Sequence, residues 1–512
     1  MTDSFYLTTP IYYVNDSPHI GHAYTSLACD VLARFKRLQG TDVLFLTGTD
    51  EHGQKVEKAA AQAGLPPQQF ADDVSKRFQQ LIACLQFSPD DFIRTTEPRH
   101  KHSATALWQA LEEKGDIYLD RYQGWYAIRD ETFVAESDLI VDTNGHKRAP
   151  SGADVEWVEE ESYFFRLSRW QKPLLDHYRA HPDAIAPASR LNEVVRFIES
   201  GLKDLSISRT TFTWGIPVPS NDKHVMYVWI DALANYLSAL NYPNGSAQQK
   251  ARWPADLHVI GKDILRFHAV YWPALLMSAG LPPPRRIFAH GWWTHEGQKI
   301  SKSVGNVIDP FALVDEWGVD AIRYFLLREV PFGMDGNFSR SALITRINSD
   351  LANGIGNLSM RVLTLIQRQC DGSVPACPPE QWQDPDKALL AQADKLYGVV
   401  AGYLDDQAFH LALDHIWQLI AASDRYIDQQ QPWRLKDSDP ARMKVVLYTL
   451  SDVLRSIALV GLAFMPQQMD ALCSMLSLET SQRNFQHWQS RLVSGTPLPA
   501  PHVLFPRVEP PK

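Results

Sequence analysis

The feature that most constrains this chain lies near its N-terminus. An extended apolar run, Phe5–Val14, leads through Pro18-His19-Ile20-Gly21-His22 into a helical pattern from about His22 to Leu38, and an apolar strand, Asp42–Thr47, follows. Parallel strands need a crossover, and a helix supplies it, so strand, turn, helix and strand in this order predict a parallel α/β sheet. The pattern covers residues 1–116. It returns over 215–285 as Val225–Ile230, then Leu257–Ile260 with Gly261, then a helical stretch through Met277 that stops at Gly280 and three prolines.

Between these halves, residues 117–214 change character, with aromatic clusters (Tyr118, Tyr122, Trp125, Tyr126) and few long helical patterns, and read as an insertion. Residues 286–345 form a short mixed segment. Residues 346–475 are almost continuously helical, with Phe409, Leu413, Ile416 and Ile420 at three- and four-residue spacing. The tail, 476–512, is too rich in proline beyond Gly495 for a long helix and reads as a loose end or a surface strap; Val503–Glu509 holds a short apolar segment able to dock back.

Composition narrows the function classes. No apolar run reaches the roughly 18 residues of a membrane span, and no basic region precedes an apolar stretch at the start, so a soluble protein retained in the cytoplasm is expected. The five cysteines, Cys29, Cys84, Cys370, Cys377 and Cys473, form no Cys-x-x-Cys pair, which fits free thiols. A net charge of -9 argues against non-specific gripping of nucleic acid and leaves room for one basic face.

Two segments carry phosphate chemistry. His19 and His22 lie three apart where a strand opens into a helix, so unpaired backbone N–H groups and the helix dipole favour an anion there. Gly21 leaves room for an adenine ring, and imidazole donors stabilise an α-phosphate whose charge rises under attack. Lys299-Ile300-Ser301-Lys302-Ser303 lies between Gly297 and Gly305, in a loop read as mobile. Its two ammonium groups, Lys299 and Lys302, and two hydroxyls, Ser301 and Ser303, suit the β- and γ-phosphates of a departing pyrophosphate. Alone, the first segment also reads as a pair of surface histidines beside a turn, and the second as a solvated charge run.

Together they resemble the His-Ile-Gly-His and Lys-Met-Ser-Lys-Ser signatures of class I aminoacyl-tRNA synthetases, with Ile300 in place of methionine. The resemblance implies a Rossmann-type catalytic domain split by a connective insertion, Mg2+-bound ATP as substrate, and in-line attack of an amino-acid carboxylate on the α-phosphate. The stretch between His22 and Lys299 has no room for the large editing insertion of the isoleucine, valine and leucine enzymes. Thr9–Asn15, Thr47–Gly53, Tyr227–Leu233 and Gly261–His268 resemble the methionine-specific members, methionine–tRNA ligases charging initiator and elongator tRNA(Met). The similarity runs over nearly the whole chain.

Ile11, Tyr13, Trp229, Ala232, Tyr236, Ile264 and His268 offer aliphatic and aromatic surface for the thioether of L-methionine; sulfur–aromatic contacts contribute about 0.3–1.5 kcal/mol. Asp50 suits the substrate ammonium. The resemblance puts the same residues in these roles, with Gly261 against the ATP, Asp263 near its ribose and Lys262 nearby. In the helical region Asn353, Asn357 and Arg361 lie at four-residue spacing, and Trp433 follows Pro432 at a break between helices. Unstacked RNA bases need such amide and aromatic groups. The resemblance assigns anticodon reading to Asn357, Arg361 and Trp433; the competing reading buries Trp433 as a packing anchor.

The chain departs from its relatives where many carry zinc knuckles. Gln123–Phe133 and Lys147–Gly152 contain no cysteine, so no structural zinc is expected, His146 reads as a surface residue, and Trp125, Tyr126 and Trp157 are expected to hold the insertion. With no room for an extra C-terminal dimerising domain, a monomer is expected. Two alternatives stand beside this reading. A cysteine ligase on the same catalytic fold calls for a metal-bound thiolate site whose ligands are missing, and a non-catalytic tRNA binder has no need of the histidines and lysines.

Overall fold

The computed structural model describes residues 4–15, 17–127, 129–130, 132–142, 145–295, 298–299 and 307–509. Its catalytic core is a parallel sheet. β1 (Ser4–Thr8) is flanked by β3 (Asp42–Asp50) and by Leu257–Gly261, beyond which lie Ile287–His290 and then Ile185–Ala186; β4 (Asp91–Arg94) lies on β3. The apolar run read as one strand breaks at Thr9-Pro10-Ile11 and resumes as β2 (Tyr12–Tyr13). Thr8 pairs with Leu46 but Tyr12 with Thr49, so the register slips by one residue. Proline cannot donate to a ladder, and that accounts for the interruption.

Helix α1 (Ile20–Leu38) follows from its composition. Ile20, Ala23, Leu27 and Val31 are buried on the core side, and Lys36 and Arg37 occupy the last turn, where cations complement the helix dipole.

Three expectations need correction. The insertion, read as 117–214, contains a four-stranded antiparallel sheet, but Ile185–Ala186 within it pairs with Ile287–Phe288 and belongs to the catalytic sheet. A two-residue strand has no periodicity to reveal it. Val225–Ile230 is not a strand of the parallel sheet. The antiparallel strand Asn221–Met226 ends there and a helix, Val228–Leu233, begins. Trp157 pairs with Trp125 across the strands yet is 52% exposed, and the tip packs instead on Ala127, Val134, Ala149 and Ala153.

The helical region contains Asn357–Gln369, Asp384–Asp405, Phe409–Gln430 and Pro440–Gly461, and Phe409, Leu413, Ile416 and Ile420 are buried as their spacing predicts. Its core is continuous with the buried face of α1. The joint carries a buried ion pair, Arg323 Nη2 to Asp30 Oδ2 at 2.7 Å. The tail straps down: Asn348 exchanges two hydrogen bonds of 2.9 Å with the Val508 backbone, while Leu504 and Phe505 are buried.

Candidate active site

The site lies at the carboxyl ends of the parallel strands, where the crossover helices leave a crevice. At the N-terminus of α1, His19 is the N-cap. Its Nδ1 accepts from the Gly21 N–H at 3.0 Å, and His22 Nδ1 accepts from the His19 N–H at 3.1 Å. Both Nδ1 atoms are therefore acceptors, so each neutral ring carries its hydrogen on Nε2. The rings sit 3.9 Å apart. Burial, and then His19, push the pKa of His22 well below the usual histidine value. A Cβ on Gly21 would meet His19 Cε1 at 2.9 Å, so glycine here lets the His19 ring fold back over the cap.

The second half of the crevice is tied to the first through Thr25 on α1, whose Oγ1 lies 2.7 Å from His290 Nε2. At the end of Leu257–Gly261, a Cβ on Gly261 would fall 2.5 Å from Asp263 Oδ1. Asp263 accepts from Trp292 Nε1 at 3.1 Å, and Lys262 Nζ binds both oxygens of Asp335 at 2.7 Å while lying 4.2 Å above the Trp292 ring. Trp292 and Asp335 thus orient the expected nucleotide residues. Sequence reasoning gave neither Trp292 nor Asp335 a role, and Asp335 carries no motif. The backbone of Gln298–Lys299 pairs with Trp293–His295; Ser301, Lys302 and Ser303 lie outside the described residues.

The residues expected around methionine come from both halves of the sheet. Ile11 and Tyr13 follow β1, Asp50 ends β3 and is only 6% exposed, Trp229 and Ala232 lie on the helix Val228–Leu233, and Tyr236, Ile264 and His268 complete the set. His268 Nδ1 donates to the Ile264 carbonyl at 3.0 Å, which leaves Nε2 to accept from the Tyr236 hydroxyl at 2.7 Å. Burial pushes the pKa of His268 down to about 4, so the ring is neutral near pH 7. Trp229 stacks on Phe267 with centroids 3.6 Å apart and planes within 10°. Phe267 was missed although it stands in the quoted Gly261–His268 stretch.

Two further buried clusters involve neighbours of these residues in the chain. Glu51 takes Arg94 Nε at 2.7 Å and Nη2 at 3.0 Å. Asp231 takes His52 and His100, each at 2.7 Å. Glu51, His52 and Asp231 all stand in stretches that resemble the family, and that is the signal that identifies them.

In the helical region Asn357 and Arg361 lie one turn apart on one helix, and Arg361 lies 5.7 Å from the Trp433 ring while binding Asp428 at 2.7 Å. Trp433 is 44% exposed on the turn Pro432–Arg434, so it is not a buried anchor. Asn353 departs from the expected shared face. Ile347–Gly356 is wound as a π-helix with non-helical angles at Gly354, which shifts its phase, and Asn353 binds Arg507 of the tail. Among the described residues no group of three His, Cys, Asp or Glu side chains is arranged to hold a metal.

Similarity to known proteins identifies the family and the fold. The family described as tRNA synthetases class I (M) matches residues 5–363, and the anticodon binding domain of methionyl tRNA ligase matches residues 374–511. A methionine–tRNA ligase of Rhizobium meliloti (strain 1021) is 53% identical over 509 residues, covering 99% of this chain and 98% of that protein. One of Rickettsia bellii (strain RML369-C) is 53% identical over 512 residues, 99% of this chain and 100% of that protein. Among solved structures, the Mycobacterium tuberculosis methionyl-tRNA synthetase in complex with methionyl-adenylate superposes with a TM-score of 0.97 at 50% identity, covering 99% of this chain and 100% of that one. Its apo form gives 0.91 at 47% identity, with 100% and 99% covered. A split parallel sheet with paired histidines at its first helix and full-length similarity of this order lead to one conclusion: the chain belongs to the class I methionyl-tRNA synthetases.

Proposed function

We propose that the crevice activates L-methionine with Mg2+-bound ATP to methionyl-adenylate, releasing pyrophosphate, and then esterifies the terminal ribose of tRNA(Met), initiator and elongator alike. The observation that carries the site assignment is the locked tautomer of His19 and His22. Both Nδ1 atoms are committed to backbone N–H groups, which leaves Nε2–H as the donor end of each ring at the positive end of α1.

The methionine carboxylate attacks the α-phosphorus, forming one P–O bond as the bond to pyrophosphate breaks. His19 and His22 donate to the α-phosphate as its charge grows, and Lys299, Lys302, Ser301 and Ser303 hold the departing phosphates. Gly261 and Asp263 hold the ribose, and Asp50 holds the substrate ammonium. Ile11, Tyr13, Trp229, Ala232, Tyr236, Ile264 and His268 enclose the side chain. The neutral His268–Tyr236 pair offers polarity without charge to the thioether. A tRNA ribose hydroxyl then attacks the adenylate carbonyl and AMP leaves. No covalent enzyme intermediate forms, so positioning and charge stabilisation supply the catalysis.

Asn357, Arg361 and Trp433 read the anticodon, Trp433 by offering an indole face to a base. The enzyme works as a monomer in the cytoplasm. Its five cysteines are free thiols, which suits a reducing compartment, and among the described residues no helix is long and apolar enough to cross a membrane. It needs no structural zinc: the tip of the insertion presents Arg148 to Asp142 at 3.0 Å and to Asp154 at 2.9 Å, and such a donor set does not suit zinc.

The test is amino-acid-dependent ATP–pyrophosphate exchange across the twenty amino acids, followed by tRNA charging, with Lys302→Ala as control. Exchange confined to methionine and lost in the control is expected. Exchange driven by another amino acid would remove the specificity assignment, and exchange without charging would confine the enzyme to activation.

A further inference from the structure

Asp231 is a wholly buried carboxylate that the chemistry above does not use. Each of its oxygens holds an imidazole, His52 Nδ1 on Oδ2 and His100 Nε2 on Oδ1, both at 2.7 Å. Burial alone would raise the Asp231 pKa, yet the two histidines hold it down to about 2, so the carboxylate is ionised. A buried charge persists only where its hydrogen bonds are satisfied, which makes this a demanding arrangement to keep.

The partners come from three distant parts of the chain, and each stands beside a wall of the amino-acid pocket. His52 lies two residues beyond Asp50, and its carbonyl accepts from the Tyr13 hydroxyl at 3.0 Å. Asp231 lies between Trp229 and Ala232 on one short helix. His100, on the helix Pro98–Glu113, reaches Ser238 Oγ through Nδ1 at 3.1 Å, and Ser238 lies two residues beyond Tyr236. One carboxylate therefore bonds the ammonium side of the pocket, carried by the first half of the sheet, to the aromatic side, carried by the second.

We propose that Asp231, bridged to His52 and His100, is a positioning residue for the amino acid, setting the distance between Asp50 and the Trp229–Tyr236 wall. The inference rests on the methionine-pocket assignment above. It singles out methionine recognition rather than nucleotide recognition, because none of the four hydrogen bonds touches Gly261, Asp263, His19 or His22.

The test measures ATP–pyrophosphate exchange with Asp231→Asn and, as a milder change that retains a donor toward Asp231, His100→Gln. The expected result is a rise in the methionine KM of roughly ten- to a hundredfold for Asp231→Asn, and a smaller rise for His100→Gln. The ATP KM should hold within about twofold, since uniform binding of the nucleotide is untouched. An unchanged methionine KM, or equal losses toward methionine and ATP, in whichever of the two variants folds would overturn the proposal. Asp50→Asn is the separate check on the pocket. If it leaves the methionine KM unmoved, the pocket assignment fails; if it raises that KM while Asp231→Asn does not, only the positioning role fails.

Discussion

Replacing Arg323 with methionine probes the joint between the catalytic sheet and the helical region. Both Arg323 and Asp30 are wholly buried. The guanidinium gives Nη2 to Asp30 at 2.7 Å, Nε to the Phe464 carbonyl at 2.8 Å, and further hydrogen bonds of 3.1 Å to the carbonyls of Leu85 and Ala463. Methionine fills much of the same volume and offers no donor, so the carboxylate and three carbonyls lose a partner together. Removing one member of a buried ion pair costs about 3–5 kcal/mol. Asp30 keeps Arg34 Nε at 2.8 Å and the Ser88 N–H and hydroxyl at 2.7 Å each, so the low end, about 3 kcal/mol, is expected. Burial alone would raise the Asp30 pKa, but Arg323 and Arg34 hold it below the ordinary carboxylate value, consistent with a pair that stays ionised. The assay is urea unfolding of Arg323→Met, Asp30→Asn and the double variant, followed by tryptophan fluorescence. A coupling energy above about 1 kcal/mol is expected from the cycle. A loss below about 1 kcal/mol for Arg323→Met, or strict additivity, would refute the reasoning, because exposed pairs contribute that little.

Three further outcomes follow from the same geometry. Tyr236→Phe removes the donor to His268 Nε2, and an orphaned buried acceptor costs about 1–3 kcal/mol, so the methionine KM in exchange should rise by up to roughly 5- to 150-fold with the ATP KM unmoved; equal changes in both would show that the hydroxyl is only structural. Asp320 is buried and its pKa is raised to about 6, so the fold binds its proton more tightly than the unfolded chain does. Its contribution is greatest below about pH 4 and is lost as pH rises through about 6. Asp320→Asn should therefore raise the Tm at pH 8, by up to about 3 kcal/mol of stability, and leave it nearly unchanged at pH 4; a lower Tm at pH 8 would contradict this. Trp433→Ala should lower the kcat/KM for tRNA roughly 5- to 150-fold, the loss of one stacked base at about 1–3 kcal/mol, with exchange intact. A matching loss in exchange would make the indole a packing residue.

How much was legible depended on how local each feature is. The turn into α1, with its histidines and glycine, was readable because capping groups and helix face are set by neighbours in the chain. The same holds for Phe409, Leu413, Ile416 and Ile420, whose spacing alone sets a buried face, and for the break at Pro432. The short apolar run Val225–Ile230 misled because such runs suit a strand and a buried helix equally. Asn353 misled because the π-helical winding before Asn357 changes the angle per residue on which a spacing argument relies.

By itself, then, the sequence determined the parallel α/β plan, the helical region and the resemblance that names the family, and it singled out the two segments proposed to bind phosphates. Only the tertiary structure decided that Ile185–Ala186 completes the catalytic sheet, that Asp30 meets Arg323 across the joint, and that His52, His100 and Asp231 share one buried carboxylate. Local propensity acts over a few residues of backbone. Pairing of buried charges and strand edges is settled by which distant surfaces must leave water together, and a linear reading contains no distance between them.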